Sequence, residues 1–179
     1  FNPYDTEKEV VEKIIATILS QDIKLIRGYS QYLYYLCCII KEKGIMCKVP
    51  IITTTAEPLM QEHRDLFASV LGAESYDQYG CGEIGGIAYE CNAHNGLHIT
   101  EERVYIEHNE NNELLITDLD NFAMPFIRYY NGDQAEFASE DCICGRKSQV
   151  IKRILGRTCD YLICKNGQSL HWAYFWHLM

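Results

Sequence analysis

Apolar positions recur at a helical spacing in the first part of the chain and at shorter, strand-like spacings in the second part. In the first 85 residues, apolar side chains return every three or four positions over three stretches, with β-branched runs between them. These stretches predict helices at about 10–19, 30–43 and 58–72. The intervening runs predict strands at about 24–27, 49–54 and 75–79. Helices that alternate with strands are typical of a parallel sheet with helical crossovers, so this part predicts an α/β fold.

Residues at the ends of these segments indicate where the helices start and stop. Ser30 is a suitable cap for the second helix, because its hydroxyl can accept from backbone N–H groups that have no partner in the first turn. Pro58 suits the first turn of the third helix. Gly44 and Gly72 are expected to end the second and third helices, since glycine readily adopts the left-handed conformation of a helix end.

The second part of the chain predicts an antiparallel sheet or barrel. After Gly86, short apolar runs are separated by polar turns, which is the pattern of strands joined by hairpins. We expect strands at 87–91, 104–108, 113–117 and 126–130, with a hairpin turn at 109–112. The predicted fold is therefore α/β, with a parallel-sheet βα segment over 1–85 and an antiparallel β-sheet or barrel-like subdomain over 86–160.

Composition and charge disfavour two classes of protein. The formal net charge of -9 at pH 7 argues against a nucleic-acid surface, because phosphates are neutralised by clustered lysines and arginines. The longest apolar run, at 33–40, is far shorter than the roughly 18 residues of a membrane span, and no signal peptide opens the chain. These features favour a cytoplasmic location. The chain begins at Phe1 rather than Met, so we expect the gene product to be longer.

A series of short motifs carries a resemblance to a known family. Ligands bind beyond the carboxyl ends of parallel strands, and two predicted ends carry Thr54-Thr55-Ala56-Glu57 and Tyr79-Gly80-Cys81-Gly82-Glu83. The motifs that follow are Glu90-Cys91, Gly96-Leu97-His98, Glu113-Leu114, Ala123-Met124-Pro125, Ile127-Arg128-Tyr129-Tyr130-Asn131-Gly132-Asp133, Cys144-Gly145-Arg146 and Gly156-Arg157-Thr158-Cys159-Asp160. In order and spacing they resemble the AMP-forming adenylate ligases, and among these the phenylacetate–coenzyme A ligases and their relatives in capsular polysaccharide biosynthesis.

The resemblance implies that the chain is part of an ATP-dependent carboxylate–CoA ligase, which makes an acyl-adenylate and then a thioester. Its partners would be a small-molecule carboxylic acid and coenzyme A or another thiol, and its cofactors would be ATP or AMP and Mg²⁺. An aryl acid such as phenylacetate is implied by the resemblance alone. The sequence does not fix the oligomeric state, and a homodimer is an open alternative to a monomer.

The resemblance also implies roles for individual residues. The ring of Tyr79, which precedes Gly80 in its motif, would stack on adenine. The family's Gly-Ala-Glu-Pro turn corresponds to Ala56-Glu57-Pro58, which would line the adenine pocket. Asp133 would hold the ribose, since a carboxylate can accept from two neighbouring hydroxyls. Arg157 would reach the ribose or a phosphate as a planar charged donor.

Glu83 is the residue to which the resemblance gives a catalytic role, because its carboxylate would hold Mg²⁺ with a hard oxygen ligand. Three places depart from the family pattern. Relatives usually carry Ser or Thr at the position of Gly82 and Gly at the position of Thr55. They usually carry Arg and Thr at the positions of Tyr130-Asn131.

Two parts of the family's machinery are missing from the 179 residues. The chain has no Ser/Thr/Gly-rich phosphate loop that ends in Lys, and residues 161–179 would form the hinge and only the start of a truncated C-terminal domain, without its lysine. We therefore expect this chain alone to be inactive. The alternative is a degenerate, non-catalytic nucleotide-binding or scaffold protein with structural zinc.

A zinc site is predicted from the cysteines and histidines. Cys142 and Cys144 can reach one ion from a tight turn, and Cys91 and His98 can supply two further ligands from a neighbouring turn. Three sulfurs and one imidazole form a closed tetrahedral set, which is typical of structural zinc. His94 is nearer to Cys91 in sequence and is the alternative to His98, which belongs to the family pattern. The other interpretation is that Cys91 is a core residue and the Cys-x-Cys pair is incidental.

Overall fold

The structure, a computed structural model, describes residues 7–157, 161–165 and 169–171. Its helices are α1 (Lys8–Ser20), α2 (Ser30–Glu42) and α3 (Gln61–Leu71). The main sheet contains β1 (Leu25–Tyr29), β2 (Ile51–Thr55), β3 (Glu74–Cys81), β4 (Gly85–Glu90), β5 (Leu97–Ile99), β6 (Val104–His108), β7 (Glu113–Asp118), β8 (Tyr129–Phe137) and β9 (Val150–Arg157). A separate small sheet contains β10 (Tyr161–Ile163) and β11 (Ser169–His171). Three motif residues, Thr158, Cys159 and Asp160, and most of the predicted 161–179 segment lie outside the described residues.

The nine main strands form one mixed sheet that starts parallel and continues antiparallel. Their spatial order is β1-β2-β3-β4-β5-β9-β8-β7-β6. The pairs β1–β2 and β2–β3 are parallel, and each later pair is antiparallel. β3 therefore belongs to both parts, and the predicted α/β fold with an antiparallel continuation is confirmed. The predicted boundary at residue 85 falls at the start of β4, and the division into separate domains stays a prediction.

Each helix buries one apolar face in a core that also contains Ile52 of β2 and the loop residues Val49 and Ala73. The buried apolar side chains are Val11, Ile14, Ile15 and Ile18 in α1, Leu33, Leu36, Cys37 and Ile40 in α2, and Phe67 and Leu71 in α3. Their spacing of three or four residues is the period by which the sequence predicted the helices. Among the described residues, no helix combines the length and the apolar character that crossing a membrane requires.

The helix ends confirm the predicted glycine stops and correct two predicted starts. Gly44 and Gly72 follow α2 and α3 with left-handed φ values of 63° and 65°. Ser30 is not a cap, because it is the first helical residue of α2 and its Oγ donates to the Pro58 carbonyl over 3.0 Å. Pro58 lies outside α3, because Met60 has an extended backbone and the helix begins only at Gln61.

The antiparallel part differs from the prediction in three strands. β5 and β9 were not predicted. The strand expected at 126–130 is wrong in position, because β8 begins at Tyr129 and runs on to Phe137. Arg128, just before it, has a φ of 51°, which interrupts the extended backbone. The strand at 104–108 is confirmed.

His63 is a buried histidine of α3 that faces α2. Its ring packs against the rings of Tyr34 and Phe67, with centroid separations of 4.8 Å and 6.3 Å. Its Nδ1 is buried and has no hydrogen-bond partner among the described residues. Burial lowers the pKa of His63 below its usual 6.5, and the carboxylates of Glu62 and Glu57 act in the opposite direction with smaller effects.

We expect His63 to make the protein less stable as the pH falls. The unfolded chain binds a proton at His63 below about pH 6.5, whereas the folded chain does so only at lower pH. The free energy of unfolding therefore decreases below that pH, by at most ~1.4 kcal/mol per pH unit from this residue. His63→Leu should flatten this dependence in urea unfolding, and His108→Gln, at an exposed histidine, should not. Equal pH slopes for the wild type and His63→Leu would contradict the prediction.

Candidate functional site

Three side chains from three strands meet in one place. Tyr79 lies on β3, Asp133 on β8 and Arg157 on β9, where it pairs directly opposite Asp133. The Tyr79 hydroxyl donates to Asp133 Oδ2 over 2.7 Å, and Arg157 Nε donates to Asp133 Oδ1 over 3.1 Å. The structure thus brings together three of the residues to which the resemblance gives nucleotide-binding roles.

The contact between Tyr79 and Asp133 requires a strongly curved sheet. Three strands, β4, β5 and β9, separate β3 from β8 in the sheet order. In a flat sheet, four strand spacings would put the two strands about 19 Å apart. The two side-chain oxygens are 2.7 Å apart instead. Register shifts at Tyr79/Gly80 and at Gln134/Ala135 mark bulges, which bend strands, so the antiparallel part curls towards a barrel.

Asn131 connects Tyr79 and Asp133 through its side-chain amide. Its Nδ2 donates to the Tyr79 hydroxyl over 2.7 Å and to Asp133 Oδ2 over 2.8 Å. Its Oδ1 accepts from the Asp133 backbone N–H over 3.0 Å. The sequence identified Asn131 only as a departure from the family pattern and missed this role. The available signal was its spacing, since an Asn side chain commonly binds the backbone N–H two residues later.

Tyr79 and Asp133 are almost completely enclosed, with exposures of 9% and 6%. Burial, and after it the charge of Asp133, raises the pKa of Tyr79 far above its ordinary value. The phenol therefore stays protonated and acts as a donor to the carboxylate. We refer to Tyr79, Asn131, Asp133 and Arg157 together as the Asp133 group.

Glu83 lies in the turn between β3 and β4, and its side chain is exposed. Its Oε1 accepts from the Tyr129 hydroxyl over 2.9 Å. Hydrogen bonds from its own backbone N–H and then from Tyr129 lower the pKa of Glu83, and the charge of Arg157 contributes a smaller lowering. The site therefore presents an exposed, ionised carboxylate, which can bind a cation.

Gly80 permits the tight connection that carries Glu83. A Cβ at position 80 would lie 2.2 Å from the carbonyl oxygen of Gly85, across the β3–β4 pair. Any side chain there would force the two strands apart. The glycine that follows Tyr79 is therefore required by the close approach of the backbones.

The Ala56-Glu57-Pro58 turn follows β2, the parallel neighbour of β3. Glu57 Oε2 accepts from the backbone N–H of Gln31 over 3.0 Å, and the proline carbonyl accepts from Ser30. Its hydrogen bonds thus run to the start of α2. Among the described residues, the structure places this turn and Tyr79 at the same edge of the sheet but does not join them by a hydrogen bond.

A second cluster forms where β4, β5 and the segment before β9 come together. Its four ligand atoms, all within 4.8 Å of one another, belong to Cys91, His98, Cys142 and Cys144. Cys91 Sγ and Cys142 Sγ are 3.7 Å apart, and Cys144 Sγ lies 3.3 Å from His98 Nε2. Zinc–sulfur bonds of about 2.3 Å at a tetrahedral angle separate two sulfurs by about 3.8 Å, so the residues present fit a zinc ion.

The structure places His98, and not His94, in this cluster. His98 Nδ1 lies 3.0 Å from Ser148 Oγ, and donation of a ring N–H to that hydroxyl would leave Nε2 as a metal ligand. The His94 ring nitrogens lie instead 3.2 Å from Glu90 Oε1 and 3.5 Å from Glu74 Oε1.

A buried ion pair joins α3 to the end of β4. One terminal nitrogen of Arg64 donates to both carboxylate oxygens of Glu90, over 2.8 Å and 3.1 Å. Glu90 also accepts from the backbone N–H of Asp77 over 2.7 Å, and its side chain is only 4% exposed. Sequence reasoning missed this pair, because its members are 26 residues apart and belong to elements of different type.

Two ligases are among the solved structures that share this fold. 2-Hydroxyisobutyryl-CoA ligase, in the postadenylation state with 2-HIB-AMP, matches with a TM-score of 0.80 at 16% identity, over 96% of this chain and 40% of that chain. Coronafacic acid ligase from Pectobacterium brasiliense matches with a TM-score of 0.63 at 16% identity, over 92% of this chain and 35% of that chain. The chain therefore has the fold of a portion of these ligases.

In sequence, the chain is similar to phenylacetate–coenzyme A ligase from Thermus thermophilus. The two are 34% identical over 124 residues, which cover 62% of this chain. The chain spans 28% of the length of that relative. No protein-family model matches the chain. The sequence and the fold together confirm the resemblance to AMP-forming adenylate ligases that the motifs indicated.

Proposed function

We propose that this chain is part of an ATP-dependent, AMP-forming carboxylate–CoA ligase. Such an enzyme joins a carboxylic acid to AMP and then transfers the acyl group to coenzyme A. The observation that carries the proposal is the meeting of Tyr79, Asp133 and Arg157, which come from three strands and match the family's nucleotide-binding motifs. The similarity to phenylacetate–coenzyme A ligase favours an aryl acid such as phenylacetate as the substrate.

In this proposal the Asp133 group binds the nucleoside. Asp133 accepts from ribose hydroxyls, Tyr79 offers a ring face to adenine, and the turn at Ala56-Glu57-Pro58 borders the base with Gly80. A buried carboxylate binds a hydroxyl more strongly than an exposed one, because the local dielectric is lower. The Arg157 side chain is 55% exposed, so its guanidinium can face the ribose or a phosphate while its Nε holds Asp133.

Glu83 is proposed to hold Mg²⁺ beside the nucleotide phosphates. Magnesium prefers hard oxygen ligands, and the lowered pKa of Glu83 keeps its carboxylate ionised at neutral pH. When bound, the ion supplies positive charge that offsets the charge of the phosphates. Because the 179 residues contain no Ser/Thr/Gly-rich phosphate loop ending in Lys, the activity is proposed for the complete protein and not for this portion alone.

We also propose that Cys91, His98, Cys142 and Cys144 hold one structural zinc ion. The separations of their ligand atoms support this, and so does the hydroxyl of Ser148 beside the second nitrogen of the histidine. A site with four protein ligands has no open position for catalysis, so its contribution is to stability. All eight cysteines that the structure describes are free thiols, which suits a reducing compartment such as the cytoplasm.

Asp133→Asn is expected to weaken AMP binding to the complete protein by roughly tenfold to a hundredfold, because the ribose hydroxyls lose their charged acceptor. The substitution preserves the size of the side chain. Isothermal titration with AMP would measure the effect, with Asp65→Asn, at an exposed position of α3, as the matched control. If the Asp133→Asn protein has the thermal stability and the AMP affinity of the wild type, the proposal that Asp133 binds the ribose is wrong.

A further inference from the structure

Asn131 uses each polar atom of its side chain within the Asp133 group. The two N–H bonds of Nδ2 go to the Tyr79 hydroxyl and to Asp133 Oδ2, and Oδ1 accepts from the Asp133 backbone N–H. An amide carries two N–H donors and one carbonyl oxygen, so neither donor remains for a ligand. The side chain is therefore suited to orienting Asp133 rather than to touching the nucleotide itself.

The two oxygens of Asp133 are occupied unequally. Oδ2 accepts two hydrogen bonds, from the Tyr79 hydroxyl and from Asn131 Nδ2, which use both of its lone pairs. Among the described residues, Oδ1 accepts one hydrogen bond, from Arg157 Nε. The carboxylate is thus fixed with Oδ2 turned towards the protein and with acceptor capacity left on Oδ1.

We propose that Asn131 is a positioning residue that makes this site select ribonucleotides. By holding Oδ2 together with Tyr79, it presents Oδ1 of Asp133 to a ribose hydroxyl. The proposal rests on the nucleotide-binding function proposed above. A site built to bind a hydroxyl strongly rejects an analogue that lacks it, because a buried acceptor is then left without a partner.

Two substitutions separate orientation from simple packing. Asn131→Leu keeps the approximate size of the side chain and removes both of its donors and its acceptor. Tyr79→Phe keeps the ring that would stack on adenine and removes only the hydroxyl that binds Oδ2. Each change releases one of the two hydrogen bonds that hold Asp133 Oδ2. Asn111→Leu, at an exposed position of the β6–β7 turn, is the matched control.

The experiment compares three nucleotides by isothermal titration on the complete protein: AMP, 2′-deoxy-AMP and 3′-deoxy-AMP. In the wild type, at least one deoxynucleotide should bind roughly tenfold or more weakly than AMP. Asn131→Leu and Tyr79→Phe should weaken AMP binding and leave the binding of that deoxynucleotide nearly unchanged. The ratio of the two dissociation constants should therefore fall towards one, and Asn111→Leu should keep the wild-type ratio.

Three outcomes decide the proposal. A collapsed ratio in both variants supports it. If Asn131→Leu and Tyr79→Phe weaken all three nucleotides by the same factor, or leave all three unchanged, the ratio keeps its wild-type value, the side chain has only a structural role and the proposal is overturned. If the wild type binds none of the three nucleotides, the nucleotide-binding function itself fails, which is a distinguishable result. The double variant adds a check, because two residues that act through one carboxylate should show non-additive losses.

Discussion

Cys144→Ser is expected to abolish metal binding and to lower the melting temperature far more than any surface substitution. The free energy of zinc binding at a structural site adds to the free energy of folding. In zinc-finger peptides this apparent binding free energy is about 10–16 kcal/mol. A whole domain is stable by only about 5–15 kcal/mol, so loss of even part of this contribution should unfold the cluster region. Metal analysis should give about one zinc per chain in the wild type, and thermal unfolding with and without a chelator would measure its effect.

Two controls separate the metal site from other cysteine and histidine effects. Cys38→Ser changes an exposed thiol on α2 and should keep the zinc and the melting temperature. His94→Asn should also keep the zinc, because His94 contacts Glu90 and Glu74 outside the cluster. Asparagine is the appropriate replacement, since His94 has a left-handed φ of 50°. Metal-free wild-type protein whose melting temperature is unaffected by a chelator would end the zinc proposal.

Glu90→Gln is expected to lower the free energy of unfolding by about 3 kcal/mol, the lower end of the cost of breaking a buried ion pair. The substitution keeps the shape of the side chain but leaves the charge of Arg64 without its partner in a mostly buried place. Urea unfolding at neutral pH would measure the loss. Glu136→Gln is the matched control, because Glu136 pairs with the exposed side chains of Lys152 and Arg153, and such pairs contribute about 0–1 kcal/mol.

A second variant tests whether the missing charge partner is the cause. If the cost arises from an unpaired Arg64, then Arg64→Met combined with Glu90→Gln should recover part of the stability lost in Glu90→Gln alone. Equal losses for Glu90→Gln and Glu136→Gln would show instead that the Arg64–Glu90 pair is no more important than a surface pair.

The features that the sequence predicted are those recorded in local spacing or in the chemistry of a few side chains. The helix period determined which face of α2 is buried, and the glycines at 44 and 72 marked true helix ends. The cysteine and histidine set was accessible because few residue types bind zinc. The prediction of His98 rather than His94 rested on the family pattern, because spacing alone does not show which side of the turn after β4 each ring occupies.

The features that the sequence did not reveal depend on contacts between distant segments. β9 escaped prediction because Lys152 and Arg153 lie side by side in it, both exposed and paired with Glu136 of β8, so no clean alternation remains. Ser30 was predicted to cap α2 and Pro58 to lie in the first turn of α3. The hydrogen bond between them joins residues 28 positions apart, so the local sequence does not indicate it. In the sequence, Asn131 was only a departure from the family pattern. Its contact with Tyr79 depends on the curvature of the sheet, which brings β3 close to β8.

The curvature that joins Tyr79 to Asp133 makes the width of the site a property of the strands between them. The cysteine and histidine cluster connects the same strands, since Cys91 follows β4, His98 lies on β5, and the Cys142–Cys144 turn precedes β9. A small change in twist between any two neighbouring strands from β3 to β8 shifts Asp133 relative to Tyr79, because four strand spacings separate β3 from β8. If the Asp133 group binds a nucleotide as proposed, substitutions in β4 and β5 should therefore change its affinity without any change in the side chains that contact the nucleotide.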